Sequence, residues 1–178
     1  MIWESAYWKE ELFRQAEYLR RRRHQKKWSE RSLARLEKTV MIGFYAVRKL
    51  LEAKRLSDAI GRLRLNVVKY GPTGKRGTFM NWHRADELYF LDKPIDTQLA
   101  LEQVSNIFIH SYAFLPVHNE NDGLEALLVN SDKTRTAALF RIDIDEVIQV
   151  FSLIAADDPQ ESQMVFDDKK GDYKVSLW

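Results

Sequence analysis

The chain of 178 residues is long enough to fold around one compact core and short for two. It contains no cysteine, which excludes disulfides, thiolate zinc sites, iron–sulfur clusters and a cysteine nucleophile. No run of about eighteen apolar residues occurs, and acidic residues appear within the first few positions. We therefore expect a cytoplasmic protein that has neither a signal peptide nor a membrane span.

Charge divides the chain into two halves. Residues 1–76 carry 20 Lys and Arg against 8 Asp and Glu, a balance of +12, whereas residues 77–178 carry 8 against 18, a balance of −10. A basic half suits a polyanion or an acidic protein surface. The two halves could equally face each other, within one chain or across a homodimer.

Apolar residues recur at helical spacing in the basic half. The first series predicts an amphipathic helix over about residues 3–26, and its members are Trp8, Leu12, Ala16 and Leu19. A second helix is expected to follow Ser29, which is a suitable N-cap. Its apolar positions are Leu33, Leu36, Val40, Phe44, Val47 and Leu51. This second helix should lie at the centre of the core.

The segment 57–77 favours no single structure. Ser57 and Asp58 could cap a short helix, whereas the alternation at 63–67 is typical of a strand, so both remain open for 58–70. Residues 71–77 hold three glycines and a proline, which predicts a loop. A phosphate-binding loop is not predicted there, because Lys69 stands where the motif needs its first glycine and Arg76 where it needs Ser or Thr.

Two further helices are expected before the β-rich region. The first covers residues 81–91, and the second begins at Thr97, which is a good cap, and runs to about Tyr112. Pro116 is expected to end this helical region because proline disrupts a helix interior. On the second helix, Asn106 and His110 are four residues apart and should share a face.

The last third of the chain changes to a β pattern. Segments 124–129 and 137–142 predict one hairpin, segments 163–166 and 173–177 predict another, and residues 145–156 between them predict a helix. The sequence therefore predicts a single α+β domain over residues 1–178. Its N-terminal two-thirds, to residue 116, should be mainly helical, and residues 117–178 should form a small, acidic, antiparallel sheet.

The string from Ser105 to Tyr112 resembles the signature of the HEPN family, helical-bundle proteins many of whose members are metal-independent ribonucleases. Asn106, His110 and Tyr112 match the family motif, and Ser105 stands in place of its arginine. The resemblance implies that His110 acts on the RNA 2′-hydroxyl across a dimer interface, supported by Asn106 and Tyr112. The arginine that stabilises the phosphorane charge must then come from elsewhere, and Arg84 is one candidate donor.

A run of basic residues predicts a second kind of site. We expect phosphate contacts from this run and from the loop at 71–77, and base stacking from an adjacent tryptophan. The residues are Arg20, Arg21, Arg22, Arg23, Lys26, Lys27, Trp28, Lys75 and Arg76. The alternative is a solvated helix end whose cations complement the helix dipole.

The histidines and carboxylates predict no metal site, and no cofactor is expected. His83, His110 and His118 lack a recognised ligand spacing. The acidic cluster at 143–146 could bind Mg²⁺, but such residues more often cap a helix.

Three functions remain open. The first is a non-catalytic interaction module that binds a protein partner, a second copy of itself or nucleic acid, but no membrane, through its basic helical face. The second is a HEPN-like or degenerate ribonuclease using His110. The third is a regulatory or immunity-type protein whose acidic half, with exposed turns at 157–158 and 167–168, neutralises a basic partner. The sequence leaves enzymatic activity open and favours the non-catalytic hypothesis.

Overall fold

The protein is built around a five-stranded antiparallel sheet. Its structure is a computed structural model that describes residues 2–169 and 171–178. The elements in chain order are α1 (Ala6–Arg22), α2 (Glu30–Glu52), α3 (Asp58–Gly61), β1 (Arg64–Tyr70), α4 (Ala85–Leu88), β2 (Ile95–Ala100), α5 (Leu101–Ile109), β3 (Ser111–His118), β4 (Leu124–Ser131), β5 (Leu139–Asp143), α6 (Ile144–Ala156), β6 (Ser162–Asp167) and β7 (Asp172–Leu177). The strand order is β2-β1-β5-β4-β3, and β6 and β7 form a separate hairpin. The predicted α+β fold class is confirmed.

The helices form two layers over one face of the sheet. Helices α5 and α6 pack on the sheet, and α1 and α2 pack on α6 and α5 from outside. The core is built around Phe44 of α2, whose ring stacks on Phe108 of α5 at 4.4 Å and meets Phe151 of α6 edge-on at 5.1 Å. Because α1 and α2 form the outer layer, their outward faces are left to solvent.

The opposite face of the sheet is covered at one end by the segment between β1 and β2. Here Ala85, Leu88 and Tyr89 form a second buried cluster with Leu139 of β5. Tyr89 fixes this cover to the sheet, since its hydroxyl accepts from Asn130 Nδ2 and donates to the carbonyl of Arg135, both at 2.7 Å. The loop at 71–84 is thereby held on the side of the sheet away from the helices.

Several predicted elements are confirmed. The first two helices are α1 and α2, and Ser29 caps α2 by accepting from the Ser32 amide. The hairpin of β4 and β5, helix α6 and the hairpin of β6 and β7 lie where the sequence placed them. The segment 58–70 contains both alternatives, because α3 is followed at once by β1.

The predicted helix at 97–112 is wrong at both ends. Thr97 lies in strand β2 opposite Val67, and α5 begins only at Leu101, where the side chain of Gln103 accepts from the Ala100 amide at 3.0 Å. At the other end, His110 is the C-cap and Tyr112 belongs to β3. Thr97 is locally typical of a helix cap, but pairing with the distant strand β1 places it in the sheet, and local sequence does not reveal such pairing.

The expectations for 81–91 and Pro116 also need correction. Only Ala85–Leu88 is helical, because Tyr89 adopts an extended backbone to reach the sheet. Pro116 does not end a helix but lies within β3, opposite Leu127. Proline is tolerated there because β3 is an edge strand, and one side of an edge strand needs no ladder hydrogen bond. Strands therefore begin at β1, well before residue 117.

Of the helices formed by the described residues, none combines the length and the apolar character needed to cross a bilayer.

Candidate nucleic-acid interface

The four consecutive arginines at the end of α1 have different environments. Arg20 pairs with Glu17 and donates to the Ser152 hydroxyl at 2.7 Å, and Arg23 pairs with Asp145 at 3.1 Å. Because Ser152 and Asp145 belong to α6, these two arginines help to fix α1 against α6. Their charges are largely compensated within the protein.

Arg22 is held in another way, by an aromatic ring. Its guanidinium carbon lies 4.7 Å from the ring centroid of Tyr18, and that of Arg35 from α2 lies 4.8 Å from the same centroid. The side chain of Arg22 also donates to Gln25. A tyrosine ring attracts a cation through its quadrupole and carries no net charge. Tyr18 therefore orders two guanidinium groups without neutralising either of them.

Further cations extend this surface along both helices. Arg31, Arg35 and Lys38 follow one another at steps of four and three, so they share one face of α2. Together with the cations at the end of α1 and in the following connection, they define the basic surface. Its members are Arg21, Arg22, Lys26, Lys27, Arg31, Arg35 and Lys38. Within the described residues, no carboxylate forms an ion pair with any of them.

The cations at the C-terminal end of α2 differ from those of the basic surface because they form ion pairs. Arg48 pairs with Glu52 at 2.7 Å and with Glu102 of α5 at 2.5 Å, and Lys49 pairs with Glu52 at 2.9 Å. Hydrogen bonds from Lys49 and Arg48 hold the pKa of the Glu52 carboxyl below its ordinary value. The basic charge at this end of α2 is thus balanced locally, whereas that of the basic surface is not.

Trp28, the predicted stacking residue, is engaged within the protein. Its indole N–H lies 3.0 Å from the carbonyl oxygen of Asp122 and 3.1 Å from that of Gln25, and its ring lies against His118 at 5.1 Å. These contacts join the connection between α1 and α2 to the loop between β3 and β4. This environment favours a structural role for Trp28 rather than contact with a base.

Lys75 and Arg76 lie in the loop on the far face of the sheet, away from the basic surface. Together with Arg135 they line a cavity of about 420 Å³. Lys75 lies 3.6 Å from Glu87, whereas Arg76 is exposed and forms no ion pair with any described residue. The predicted binding residues therefore fall on two separate surfaces.

The predicted Asn106–His110 pair is not joined by its side chains. His110 is exposed at the end of α5, where its amide N–H donates to the carbonyl of Asn106 at 3.1 Å. Among the described residues, neither side chain has a hydrogen-bond partner. Ser105 is fully buried, with its hydroxyl donating to the Leu101 carbonyl at 2.8 Å, so it holds α5 rather than facing a substrate.

An arginine does lie beside Tyr112. The guanidinium carbon of Arg135 lies 4.2 Å from the Tyr112 ring centroid. Arg135 also pairs with Asp132 at 2.9 Å, and the Asp132 amide donates to the carbonyl of His110 at 3.3 Å. The suggested donor, Arg84, pairs instead with Glu87 at 3.1 Å.

Burial affects the phenol of Tyr89, whose hydroxyl donates to the carbonyl of Arg135. Tyr89 is 5% exposed, and desolvation raises the pKa of its phenol above the ordinary value, although the hydrogen bond from Asn130 acts in the opposite direction. The group stays protonated at neutral pH and can donate to Arg135. This connection positions the turn that carries Arg135.

Much of the acidic half is engaged internally. Asp157, which was expected in an exposed turn, accepts from the Ser57 amide at 2.9 Å, and its side chain is only 9% exposed. In the 143–146 cluster, Asp143 occupies the N-cap position of α6 but forms no capping bond and pairs with Arg141 instead. The described residues contain no group of three or more candidate ligands for a metal ion. The regulatory hypothesis stays a prediction.

Three residues that matter here were not singled out from the sequence. Tyr18 precedes Arg22 by four residues, which is a detectable helical pair. Arg35 and Arg135 carry no comparable local signal, because the tertiary fold brings them to Tyr18 and Tyr112.

Comparison with known proteins adds no relative from which a function could be inferred. Neither a protein-family model, nor a curated protein, nor a solved structure matches this chain.

Proposed function

We propose that the protein is a non-catalytic interaction module that binds nucleic acid through the basic surface of α1 and α2. The observation that carries this proposal is the placement of Arg22 and Arg35 on the ring of Tyr18. Two guanidinium groups are thereby ordered in advance while their charge remains available. Preorganised side chains lose less conformational entropy when they bind.

Nucleic acid is favoured over an acidic protein by the kind of cation present. Four of the seven residues of the basic surface are arginines, Arg21, Arg22, Arg31 and Arg35. The planar guanidinium fork matches phosphate oxygens in a bidentate manner, and each neutralised phosphate releases condensed counterions. The acidic second half of the chain would repel the same polyanion and so orient it towards the helices.

The proposal predicts binding that depends steeply on salt. Fluorescence anisotropy with a labelled duplex of about 20 base pairs, at about 50 and 200 mM salt, measures this. If about five of the seven cations of the basic surface contact phosphates, the affinity should fall by a factor of several hundred between these two concentrations. Binding that is absent at the lower salt concentration, or that does not change with salt, would contradict the proposal. An acidic protein that binds through the same cations while duplex does not would also contradict it.

A second candidate function, a ribonuclease at His110, is favoured by the position of Arg135. The matched Tyr112 packs against this guanidinium, so an arginine is present without being part of the motif. In this mechanism His110 takes the proton of a 2′-hydroxyl, the 2′-oxygen bonds to the adjacent phosphorus, and the bond from phosphorus to the 5′-oxygen breaks, which gives a 2′,3′-cyclic phosphate. The leaving 5′-oxygen takes a proton from solvent, and Arg135 stabilises the charge on the phosphate that is attacked.

Cleavage of labelled single-stranded RNA in the presence of a chelator tests the second candidate. The wild type should cut RNA, and both His110→Ala and Arg135→Gln should abolish cutting with the fold intact. If the wild type does not cut RNA, or if His110→Ala cuts at the wild-type rate, the ribonuclease hypothesis is wrong.

A further inference from the structure

The loop at 71–84 and the turn between β4 and β5 line a cavity that is open to solvent. Its wall carries three cations and, among the described lining residues, no carboxylate. The cations are Lys75, Arg76 and Arg135, and the apolar part of the wall comes from Pro72, Leu88 and Tyr89. Such a wall suits a ligand that combines a flat or apolar body with a negative charge.

The cavity is fixed in place by hydrogen bonds across its wall. Arg135 Nη1 donates to the carbonyl of Gly77 at 3.1 Å, which ties the loop to the turn. The Thr73 hydroxyl donates to the Glu87 carbonyl at 2.8 Å and closes the other side of the loop. A volume of about 420 Å³ lies within the range of about 300–1,000 Å³ typical of small-ligand sites.

Aromatic and apolar groups stand beside the cavity without cover. Phe79 is 86% exposed and the adjacent Met80 is 85% exposed. Phe79 meets Tyr112 edge-on at 6.3 Å, and Tyr112 in turn packs against Arg135. Adjacent exposed apolar side chains beside a groove are a feature of ligand-binding surfaces. Bases stack on aromatic rings of this kind next to cations.

We infer that this cavity binds one nucleotide of an unpaired nucleic-acid strand, and that Phe79 stacks on the neighbouring base. The phosphate would contact Arg76, whose side chain has no ion-pair partner among the described residues, while Arg135, which pairs with Asp132 and donates to the Gly77 carbonyl, holds the wall of the cavity in place. A strand is preferred to a free nucleotide because Phe79 lies outside the cavity and offers a second contact. The inference rests on the proposed function because both require that the protein binds nucleic acid. It extends that function to different residues, which lie on the other face of the sheet.

Binding of a labelled single strand of about ten nucleotides tests the inference. Phe79→Ala should weaken binding at least about fivefold, the lower bound for one stacked base. Arg76→Gln, which removes a phosphate contact, should weaken binding and lower the salt slope by about one. Arg62→Gln is the matched control, because it removes one exposed cation that belongs to neither surface. Circular dichroism should show the same fold for all variants, since Phe79 and Arg76 are exposed.

Two comparisons separate this inference from the proposed function and from a free-nucleotide site. If Arg22→Gln/Arg35→Gln abolishes duplex binding while Phe79→Ala has no effect on the single strand, the inference fails and the proposed function stands. If Phe79→Ala weakens the single strand but the double variant leaves duplex binding intact, the proposed function fails. A nucleoside monophosphate that binds as tightly as the strand would overturn the preference for a strand.

Discussion

The guanidinium of Arg35 on α2 lies 4.8 Å from the ring centroid of Tyr18 on α1, so the outer helices share a cation that forms no ion pair with any described carboxylate. Tyr18 itself is 7% exposed, which fixes the ring that holds this cation. Helix packing and charge presentation therefore depend on the same side chain. The first prediction follows from this dependence.

Replacing the Tyr18 ring should weaken nucleic-acid binding without removing any positive charge. Tyr18→Leu releases Arg22 and Arg35, and ordering each of them on binding should cost about 2- to 10-fold in affinity. Tyr18→Phe keeps the ring and should bind as the wild type does. Anisotropy titrations of both variants check this, and equal affinities for Leu and Phe would show that the ring does not order the arginines.

Trp28→Phe should lower stability and leave nucleic-acid binding unchanged. The substitution removes the indole N–H that bonds the carbonyls of Asp122 and Gln25, at an expected cost of about 1 kcal/mol. Urea unfolding and a duplex titration measure the two effects separately. If the duplex affinity falls while the free energy of unfolding is unchanged, Trp28 contacts bases.

Tyr89→Phe should destabilise the fold by about 1–3 kcal/mol, because it leaves the buried amide of Asn130 without its acceptor. The measurement is the free energy of unfolding in urea at neutral pH. Phe79→Ala serves as the control, since that side chain is exposed and its removal should change little.

The same tyrosine should make stability depend on alkaline pH. Burial raises the pKa of the Tyr89 phenol in the folded protein, so its contribution is complete below the ordinary value of about 10. As the pH rises from about 10 towards the raised pKa, the unfolded chain ionises first and stability is lost. Tyr89→Phe should therefore show a smaller loss between about pH 8 and pH 10.5 than the wild type. If stability falls equally with pH in the wild type and in Tyr89→Phe, a group other than Tyr89 causes the loss.

Gly43→Ala should destabilise the core although it improves helix propensity. A Cβ at Gly43 would overlap the ring of Phe151 and lie 2.6 Å from Gln15 Oε1. Overpacking of this kind costs about 1–3 kcal/mol. Gly61→Ala is the control, because a Cβ there meets nothing within 4 Å. Thermal unfolding of both variants decides the matter, and no difference between them would show that Phe151 can move aside.

The sequence predicted elements whose apolar period is long and uninterrupted. Helices α1, α2 and α6 and the hairpin of β4 and β5 could be located because apolar residues recur in each at the period of its secondary structure. The prediction from sequence was wrong at Thr97. This residue is typical of a helix cap, but it lies in β2, which pairs with the distant β1. The prediction was also wrong at Pro116, because only the strand order shows that β3 is an edge.

The candidate sites show the same limit. The Arg20–Arg23 run was visible, and so was Glu17 three residues before Arg20, but the partner of Arg23 is Asp145 of α6, more than a hundred residues away. Arg135 could not be associated with Tyr112 from spacing alone. Composition identified the cations, and only the tertiary contacts show which of them keep their charge available.

A comparison of two double variants tests the central claim most directly. Arg22→Gln/Arg35→Gln and Arg20→Gln/Arg23→Gln remove the same charge, but only the first pair belongs to the basic surface. The slope of log affinity against log salt for a duplex should fall by about two in the first variant and change much less in the second. Equal losses of slope would contradict the account, because nucleic acid would then respond to net charge and not to the arginines held by Tyr18.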